Sequence, residues 1–457
     1  MRTDTIAAIA TARTNSGIGI IRISGEEAVE TADRIIRLKA GKKLSGCKSH
    51  TVHYGFVKDG DDTVDEVMVV LMKAPKSYTK EDTVEINCHG GILVMDRILD
   101  LVLKNGARPA DPGEFTKRAF LNGRIDLAQA ESVIDVINAQ NDFALKASME
   151  QLNGSISDVI KKLRAAILHE LAFMESAIDD PEHYHLENYG EQLLLKTNLI
   201  LEKIRKLLLN ARKGSILKEG IRTVIVGKPN SGKSSLLNML SGRERAIVTE
   251  IAGTTRDVIE EQIRLNSISL NVIDTAGIHS TEDVVEKIGV EKAKEYAEKS
   301  DLILYMVDAS VSLDEDDFKI IELIQKHNAI VLLNKTDLVS VVMEEEIQTL
   351  LGKMVIPVSA KYGDGIDRLE HAIEEMFFQG KITMNDEIYI TNARHQSALR
   401  EAEKSLMLVN KSISDGMPED FFTIDLMNAY EELGSVIGEA VEDDLINEIF
   451  SKFCMGK

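Results

Sequence analysis

The spacing of hydrophobic and polar residues changes several times along the chain and divides it into segments of different structure. Before about residue 120, short β-rich runs at residues 19–23, 67–72 and 83–87 accompany a helical stretch at residues 91–103. Such a mixture is typical of a small α/β domain.

Residues 126–179 follow a helical pattern instead, with no proline and a single glycine, Gly154. Apolar residues recur at helical spacing at Val133, Ile137, Leu152, Ile156, Ile160, Leu163, Ile167 and Leu171. A further helix is predicted over residues 191–210, ending where Lys213 and Gly214 interrupt the pattern. Helical patterns return at residues 394–411 and 423–453.

Between these helical parts, predicted strands alternate with helical stretches, which is the signature of a parallel sheet with crossover helices. The strands are predicted at residues 222–226, 269–273, 302–307 and 329–333. Because neither helical part looks complete as a bundle, we predict that this α/β block is inserted into one helical domain. The predicted boundaries give domains at residues 1–120, 121–214, 215–380 and 381–457.

Composition and charge narrow the class of protein. The chain has 457 residues, of which 44% are hydrophobic and 28% are charged, as in globular proteins of about three domains. Its longest apolar runs fall far short of the roughly 20 residues that cross a membrane, and no export signal is evident. The net charge of −21 disfavours nucleic-acid binding through bulk electrostatics, so any RNA contact must be local.

Three cysteines, Cys47, Cys88 and Cys454, form no CxxC pair, and they indicate neither a zinc site nor a disulfide framework. We therefore expect a cytoplasmic protein in a reducing compartment and no association with membranes.

The sequence GKPNSGKSS, which starts at Gly227, follows a predicted strand and opens a helix, as a phosphate-binding loop does. Its glycines allow backbone N–H groups to face phosphates at the positive end of the helix. Lys233 is predicted to reach the β- and γ-phosphates, and the Ser234 hydroxyl to bind Mg²⁺. The other candidate phosphate contacts are Asn230, Ser231, Gly232 and Ser235.

The motif NKTD at residues 334–337 predicts which purine is bound. The Asp337 carboxylate can accept hydrogen bonds from N1–H and the 2-amino group of guanine, whereas adenine would leave it unpaired. Asn334 and Lys335 belong to the same motif. A second loop, formed by Ser359, Ala360 and Lys361, resembles the loop that caps the guanine O6 atom.

Two further motifs lie between the phosphate loop and the base-recognition motif. The sequence DTAG, comprising Asp274, Thr275, Ala276 and Gly277, offers a carboxylate to the Mg²⁺ shell and an N–H group to the γ-phosphate. The sequence GTTRD at residues 253–257 offers a switch threonine as the second Mg²⁺ ligand. We select Thr255 for that position, with Thr254 as the alternative.

Ras-like enzymes have a glutamine after DTAG that orients the attacking water, but this chain has Ile278. A monovalent cation such as K⁺ could supply the missing charge stabilisation, held by the side-chain carbonyl of Asn230 and the backbone carbonyls of Thr249 and Ile251. Thr249 is also a candidate nucleotide contact, and Thr254 a further candidate K⁺ ligand. Alternatively, Asn230 serves only the geometry of the turn.

These motifs, together with the C-terminal sequence FCMGK, resemble the bacterial tRNA-modification GTPase family MnmE (TrmE). The resemblance covers essentially the whole chain, including SYTKED at residues 77–82, CHGG at residues 88–91 and PGEFT at residues 112–116. It implies a multidomain α/β plus all-α fold, with an N-terminal α/β folate-binding domain and a helical domain interrupted by a Ras-like P-loop G domain.

The resemblance also implies a homodimer that acts with a flavin-dependent partner, MnmG, in a heterotetramer. This assembly would add an aminomethyl-type group to C5 of the tRNA wobble uridine, with K⁺-stimulated GTP hydrolysis as the G domains meet. The one-carbon donor would be a tetrahydrofolate, in its 5-formyl or 5,10-methylene form. By the same resemblance, Arg22, Glu85, Arg124 and Lys457 would contact the folate, while Glu286 and Cys454 would be catalytic.

A protein of another class is the alternative: a ribosome-assembly or regulatory GTPase that acts as a switch without a small-molecule substrate. Its G domain would have the same motifs. The flanking sequence distinguishes the two, because a switch needs neither a folate pocket nor FCMGK at its end.

Overall fold

The computed structural model describes residues 4–139, 141–180, 189–243, 261–265, 268–273, 298–378, 388–418, 420–439, 441, 443–453 and 456. The chain divides into two compact units. The first consists of Met1–Ile137, Ser148–Ile200 and Ala398–Lys457, and the second of Asn138–Ala147 and Leu201–Ser397. The second unit is therefore inserted between parts of the first. The four domain boundaries suggested by the sequence remain a prediction, because this division does not separate residues 1–120 from the helical segments.

The first unit contains a seven-stranded sheet with the order β3-β4-β5-β6-β2-β1-β7. Its strands are β1 (Ile6–Ile9), β2 (Ser16–Ser24), β3 (Ile36–Leu38), β4 (Thr51–Asp59), β5 (Asp62–Met72), β6 (Thr83–Gly90) and β7 (Arg108–Pro109). The helices α1 (Ala28–Ile35) and α2 (Ile92–Lys104) pack on one face, where Val67, Val69 and Leu71 alternate inward. The intervening side chains of β4 and β5 point to the other face, where Val52, Tyr54 and Met68 are exposed.

The rest of the first unit is helical. It comprises a 3-10 turn (Leu44–Gly46), α3 (Glu114–Leu121), α4 (Leu127–Ile137), α6 (Ser155–Asp179), α13 (Asp420–Ile437) and α14 (Asp443–Ser451). Helix α13 packs on α4 and α6, and α14 packs on α3. The predicted apolar stripe of α6 is buried at Ile156, Ile160, Leu163, Ile167 and Leu171, because one face of this amphipathic helix lies against its neighbours.

The second unit is built on a six-stranded sheet with the order β13-β12-β11-β8-β10-β9. Its strands are β8 (Ile221–Gly227), β9 (Glu261–Leu265), β10 (Ile268–Val272), β11 (Leu302–Asp308), β12 (Ala329–Asn334) and β13 (Met354–Pro357). Strand β9 pairs antiparallel with β10, and the remaining neighbours are parallel, as the alternation of strands and helices predicted. The helices of this unit are α8 (Lys233–Arg243), α9 (Glu315–Ile324), α10 (Glu344–Leu351) and α11 (Ile366–Phe378).

Apolar side chains from both faces of this sheet form two separate cores. Adjacent residues of β11 take part in different cores: Leu304 and Met306 in one, Ile303 and Tyr305 in the other. Burial on both faces explains why these strands appear in the sequence as continuous hydrophobic runs rather than as alternating patterns.

Three helices include residues of both units: α5 (Asp142–Leu152), α7 (Tyr189–Glu219) and α12 (Ala393–Ser414). The prediction that α7 ends near Lys213 and Gly214 is wrong, because the helix continues to Glu219. Gly214 instead allows the backbone at Ile390 to approach the helix closely, since a Cβ at this position would lie 2.8 Å from the carbonyl oxygen of Ile390.

The helix predicted over residues 423–453 is two helices. Gly438 lies beyond the end of α13 with φ at 86°, a left-handed conformation that glycine adopts readily. A hydrophobic repeat that continues on both sides of Gly438 does not show this break. Among the described helices, none combines the length and the apolar character that a membrane crossing requires.

We predict that Gly214→Ala destabilises the second unit by about 1–3 kcal/mol, because the added methyl group overlaps a backbone oxygen. Thermal unfolding followed by circular dichroism measures the effect. Gly190→Ala in the same helix is the control, since its Cβ would meet only the Ile413 Cγ2 atom at 3.3 Å. Helix propensity alone favours alanine at both positions, so equal stability of the two variants would contradict the prediction.

Candidate functional site

The phosphate loop connects the carboxyl end of β8 to the first turn of α8. Gly232 has φ at 105°, and a Cβ there would overlap the side-chain nitrogen of Asn334, so this position requires glycine. Asn230 also has a left-handed backbone, with φ at 63°, and its side chain is exposed. The strand, loop and helix predicted from the sequence are thus confirmed.

Lys233 turns back over this loop from the start of α8. Its ammonium group donates hydrogen bonds to the carbonyl oxygens of Gly227 and Lys228, at 2.7 and 2.8 Å. Burial lowers the pKa of Lys233 from its usual value. The ammonium group therefore lies inside the loop, where a phosphate charge would stabilise it. Ser234 and Ser235 follow in the first turn of α8, where both are exposed.

The side chain of Asn334 joins the phosphate loop to the loop that follows β13. Its amide nitrogen donates to the carbonyl oxygen of Ser231 at 2.8 Å, and its amide oxygen accepts from the backbone N–H of Ala360 at 3.0 Å. Asn334 is only 3% exposed. A buried amide with a partner at each end holds two loops at a fixed separation.

The other residues of the base-recognition motif have equally specific partners. Lys335 pairs with Asp308 at 2.6 Å. Burial opposes ionisation of Asp308, but the hydrogen bonds from Lys335 and Ser310 and the charge of Lys335 together outweigh it, so the pKa of this carboxyl group is lowered. Asp337 is exposed, and one of its oxygens accepts a hydrogen bond from the Ser359 hydroxyl at 2.8 Å.

Three predicted parts of the nucleotide site therefore come together at the carboxyl edge of the sheet: residues 230–235, 334–337 and 359–361. The other predicted contacts lie outside the described residues. These are Thr249, Ile251, Thr254, Thr255, Asp274, Thr275, Ala276, Gly277 and Glu286. A parallel sheet with a phosphate loop and a guanine-selective motif at this edge defines the class as a P-loop GTPase.

A second cluster of charged and aromatic side chains lies in the first unit. Arg22 on β2 and Glu85 on β6 are register neighbours, and the Arg22 Nε atom donates to Glu85 Oε1 at 2.8 Å. Both side chains are largely buried, with 17% and 19% of their surface exposed. The guanidinium of Arg124 lies 4.6 Å from the centre of the Tyr78 ring.

The Arg22 guanidinium also lies over Tyr78, at 5.7 Å, and donates to the carbonyl oxygen of Gly456 at 3.0 Å. The tail thus reaches the cluster, although Cys454 and Lys457 themselves lie outside the described residues. The structure brings three of the four predicted folate contacts together. The sequence analysis did not include Tyr78 in this cluster. Its position in the SYTKED motif was the feature that could have indicated it.

Comparisons with known proteins show the family of this chain. A family model described as the MnmE helical domain matches residues 127–454, and one described as the GTP-binding protein TrmE N-terminus matches residues 5–124. Proteins named tRNA modification GTPase MnmE are similar over nearly the whole chain. The one from Lachnoclostridium phytofermentans is 56% identical and covers 100% of both chains. Those from Acetivibrio thermocellus and Geobacillus kaustophilus are 49% and 48% identical, each covering 99% of both chains. This chain therefore belongs to the MnmE family of tRNA modification GTPases.

We predict that Asp337→Asn lowers GTP affinity by roughly 10- to 100-fold, because an amide cannot accept both guanine donors. Xanthosine triphosphate should bind the variant better than GTP does, since its 2-oxo group accepts from the new amide. The Ser359 hydrogen bond can persist, so stability should change little. Competition with a fluorescent nucleotide measures both affinities, with the exposed Asp364→Asn as the control. An unchanged preference for GTP would remove Asp337 from base recognition.

Proposed function

We propose that this chain hydrolyses GTP and takes part in adding an aminomethyl-type group to C5 of the tRNA wobble uridine, with a tetrahydrofolate as the one-carbon donor. It would act in the cytoplasm as a homodimer, with a flavin-dependent partner, MnmG, in a heterotetramer. One observation carries the proposal: a guanine-nucleotide site and a separate Arg22–Glu85 cluster occur in one chain. A GTPase that acts only as a regulatory switch needs the first site but not the second.

The chemistry of the Arg22–Glu85 cluster fits a folate. A pterin ring presents an amino group and an adjacent N–H, the same donor pair that guanine presents to Asp337. The Glu85 carboxylate can accept such a pair, and Tyr78 offers a ring for stacking. Arg22 and Arg124 supply positive charge for the carboxylates of the glutamyl tail. By the family resemblance, Lys457 would add a further cation.

The exposed face of the N-terminal sheet supports a homodimer. Val52, Tyr54 and Met68 project from it on the side opposite the two helices, and Met68 is 53% exposed. Apolar side chains grouped on one sheet face are typical of an interface. The same face continues to the cluster, because Val70 on β5 is the register partner of Glu85, which pairs in turn with Arg22. We propose that the same face of a second copy of the chain packs against it.

Asn230 supports the proposed dependence on K⁺. Its left-handed backbone lies at the top of the phosphate loop, and its carbonyl-bearing side chain is exposed there. A cation bound beside the β- and γ-phosphates would stabilise the negative charge that develops as the phosphate bond breaks. In this proposal Ser234 and Thr255 hold Mg²⁺, and Thr249, Ile251 and Thr254 complete the K⁺ site. Glu286 steers the attacking water, and Cys454 takes part in the uridine chemistry.

For the folate site, we expect Glu85→Gln to weaken binding of 5-formyltetrahydrofolate at least about tenfold, because the neutral amide loses the charged acceptor. Isothermal titration calorimetry on the full chain gives the affinity. Glu66→Gln is the matched control, since Glu66 is exposed on the neighbouring strand. Within the described residues, its side chain forms a hydrogen bond only with the Tyr54 hydroxyl. No binding to the unaltered chain, or equal binding to both variants, would favour the regulatory switch.

For the cation, GTP turnover should be at least about tenfold faster in KCl than in NaCl, and Asn230→Gly should abolish the difference. Glycine tolerates the left-handed backbone at this position, so the variant removes the side-chain carbonyl without straining the loop. Steady-state phosphate release in each salt measures the ratio. Equal rates in both salts for the unaltered chain would leave Asn230 with a role in turn geometry alone.

For the dimer, Met68→Glu should convert the protein to monomers, because it buries a charge in the proposed interface. Light scattering after size-exclusion chromatography gives the mass. Leu195→Glu, at an exposed position of α7, is the control and should leave the dimer intact. The assignment of this face is wrong if the Met68 variant keeps the mass of a dimer.

A further inference from the structure

The phosphate loop is tied to a neighbouring helix by its second residue, Lys228. The Lys228 ammonium lies 2.8 Å from Asp314 Oδ2 and 2.6 Å from Asp317 Oδ2. The Lys228 side chain is 22% exposed, whereas that of Asp317 is only 2% exposed. This is not a surface ion pair of the kind that contributes little, because one partner is a buried carboxylate.

Both carboxylates are held rigidly by the start of α9. Asp314 is the N-cap, and its Oδ1 atom accepts hydrogen bonds from the backbone N–H groups of Asp316 and Asp317. Asp317 completes a capping box by accepting from the backbone N–H of Asp314 at 3.1 Å, and it also accepts from the Tyr305 hydroxyl at 2.8 Å. The oxygens that face Lys228 are therefore fixed before any nucleotide binds.

The backbone of Lys228 belongs to the site itself. Its carbonyl oxygen accepts from the Lys233 ammonium at 2.8 Å and from the backbone N–H of Ser231 at 3.2 Å. At the other end of the loop, Asn334 holds the carbonyl oxygen of Ser231. Residues 228–231 are thus anchored at both ends, with Asn230 between the anchors.

We propose that Lys228 is a positioning residue of the nucleotide site, whose ion pair with Asp314 and Asp317 holds the first half of the phosphate loop in the shape that receives the phosphates. A loop ordered in advance loses less conformational entropy on binding, so the ion pair raises nucleotide affinity without touching the reacting atoms. The inference rests on GTP hydrolysis by the family. It is independent of the proposed folate and K⁺ sites.

The test compares Lys228→Met with Lys228→Arg in the full chain. The methionine variant should raise KM for GTP and Kd for GDP roughly tenfold, with kcat changed less than about threefold. Arginine can bridge the same two carboxylates, so it should restore both constants to within about threefold of the unaltered chain. Lys319→Met is the control, because Lys319 pairs with Asp316 on the exposed side of the same helix.

A second variant keeps the test conclusive if Lys228→Met fails to fold. Asp314→Asn keeps the helix cap, since asparagine caps as well as aspartate does, and removes a charge that faces Lys228. It should raise KM for GTP by itself, and its effect should not add fully to that of Lys228→Met. Values of KM within twofold of the unaltered chain for both variants would overturn the inference. Equal weakening by methionine and arginine would also overturn it, because the lysine would then act directly rather than through the pair.

Discussion

The second unit depends on one buried amide. The Asn334 side chain spans the phosphate loop and the loop after β13, through its bonds to Ser231 and Ala360. Each of these loops follows a different strand, and the amide comes from a third strand that ends at the same edge. Because an unpaired amide or carbonyl group is costly in a buried position, the three loops must keep the relative positions that allow both hydrogen bonds. The distance between the phosphate pocket and the base pocket follows from this constraint.

The Lys228 ion pair adds a second constraint from the opposite side of the loop. Asn334 acts on Ser231 near the start of α8, while Asp314 and Asp317 act through Lys228 near the end of β8. Strand β11 lies between β8 and β12 and supplies Tyr305, whose hydroxyl bonds to Asp317. The central strand therefore supports both the loop and the helix that anchors it. Its burial on both faces makes it a rigid support.

The first unit has a different design, in which one sheet face forms the main core and the other is covered only in part. This second face combines exposed apolar side chains with the largely buried Arg22–Glu85 pair, which lies next to Tyr78. A charged pair largely withdrawn from water needs hydrogen bonds on all sides, and the Gly456 carbonyl supplies one of them. Gly456 thus contributes to a cluster that includes Arg22 of β2.

The class of protein and the division of the chain into α/β and helical segments could be predicted from the sequence. Phosphate and base recognition depend on short motifs, because backbone N–H groups, a lysine and a carboxylate within a few residues carry that chemistry. Four of the six strands described in the second unit, β8, β10, β11 and β12, were equally visible, since burial on both faces leaves continuous apolar runs. The roles of Gly214 and Gly438 were predicted wrongly, because a glycine can either allow a close backbone approach within a helix or end the helix, and the local pattern does not distinguish these roles.

The contacts between residues far apart in the sequence could be identified only in the folded structure. Arg22 contacts Gly456 across 434 positions of sequence, and Lys228 contacts Asp314 across 86. No periodicity or motif spacing encodes such pairs, because they follow from the order of strands in a sheet and from the packing of helices on it. The residues of a local motif can therefore be identified from the sequence, whereas the distant residues that hold them in position are determined by the fold.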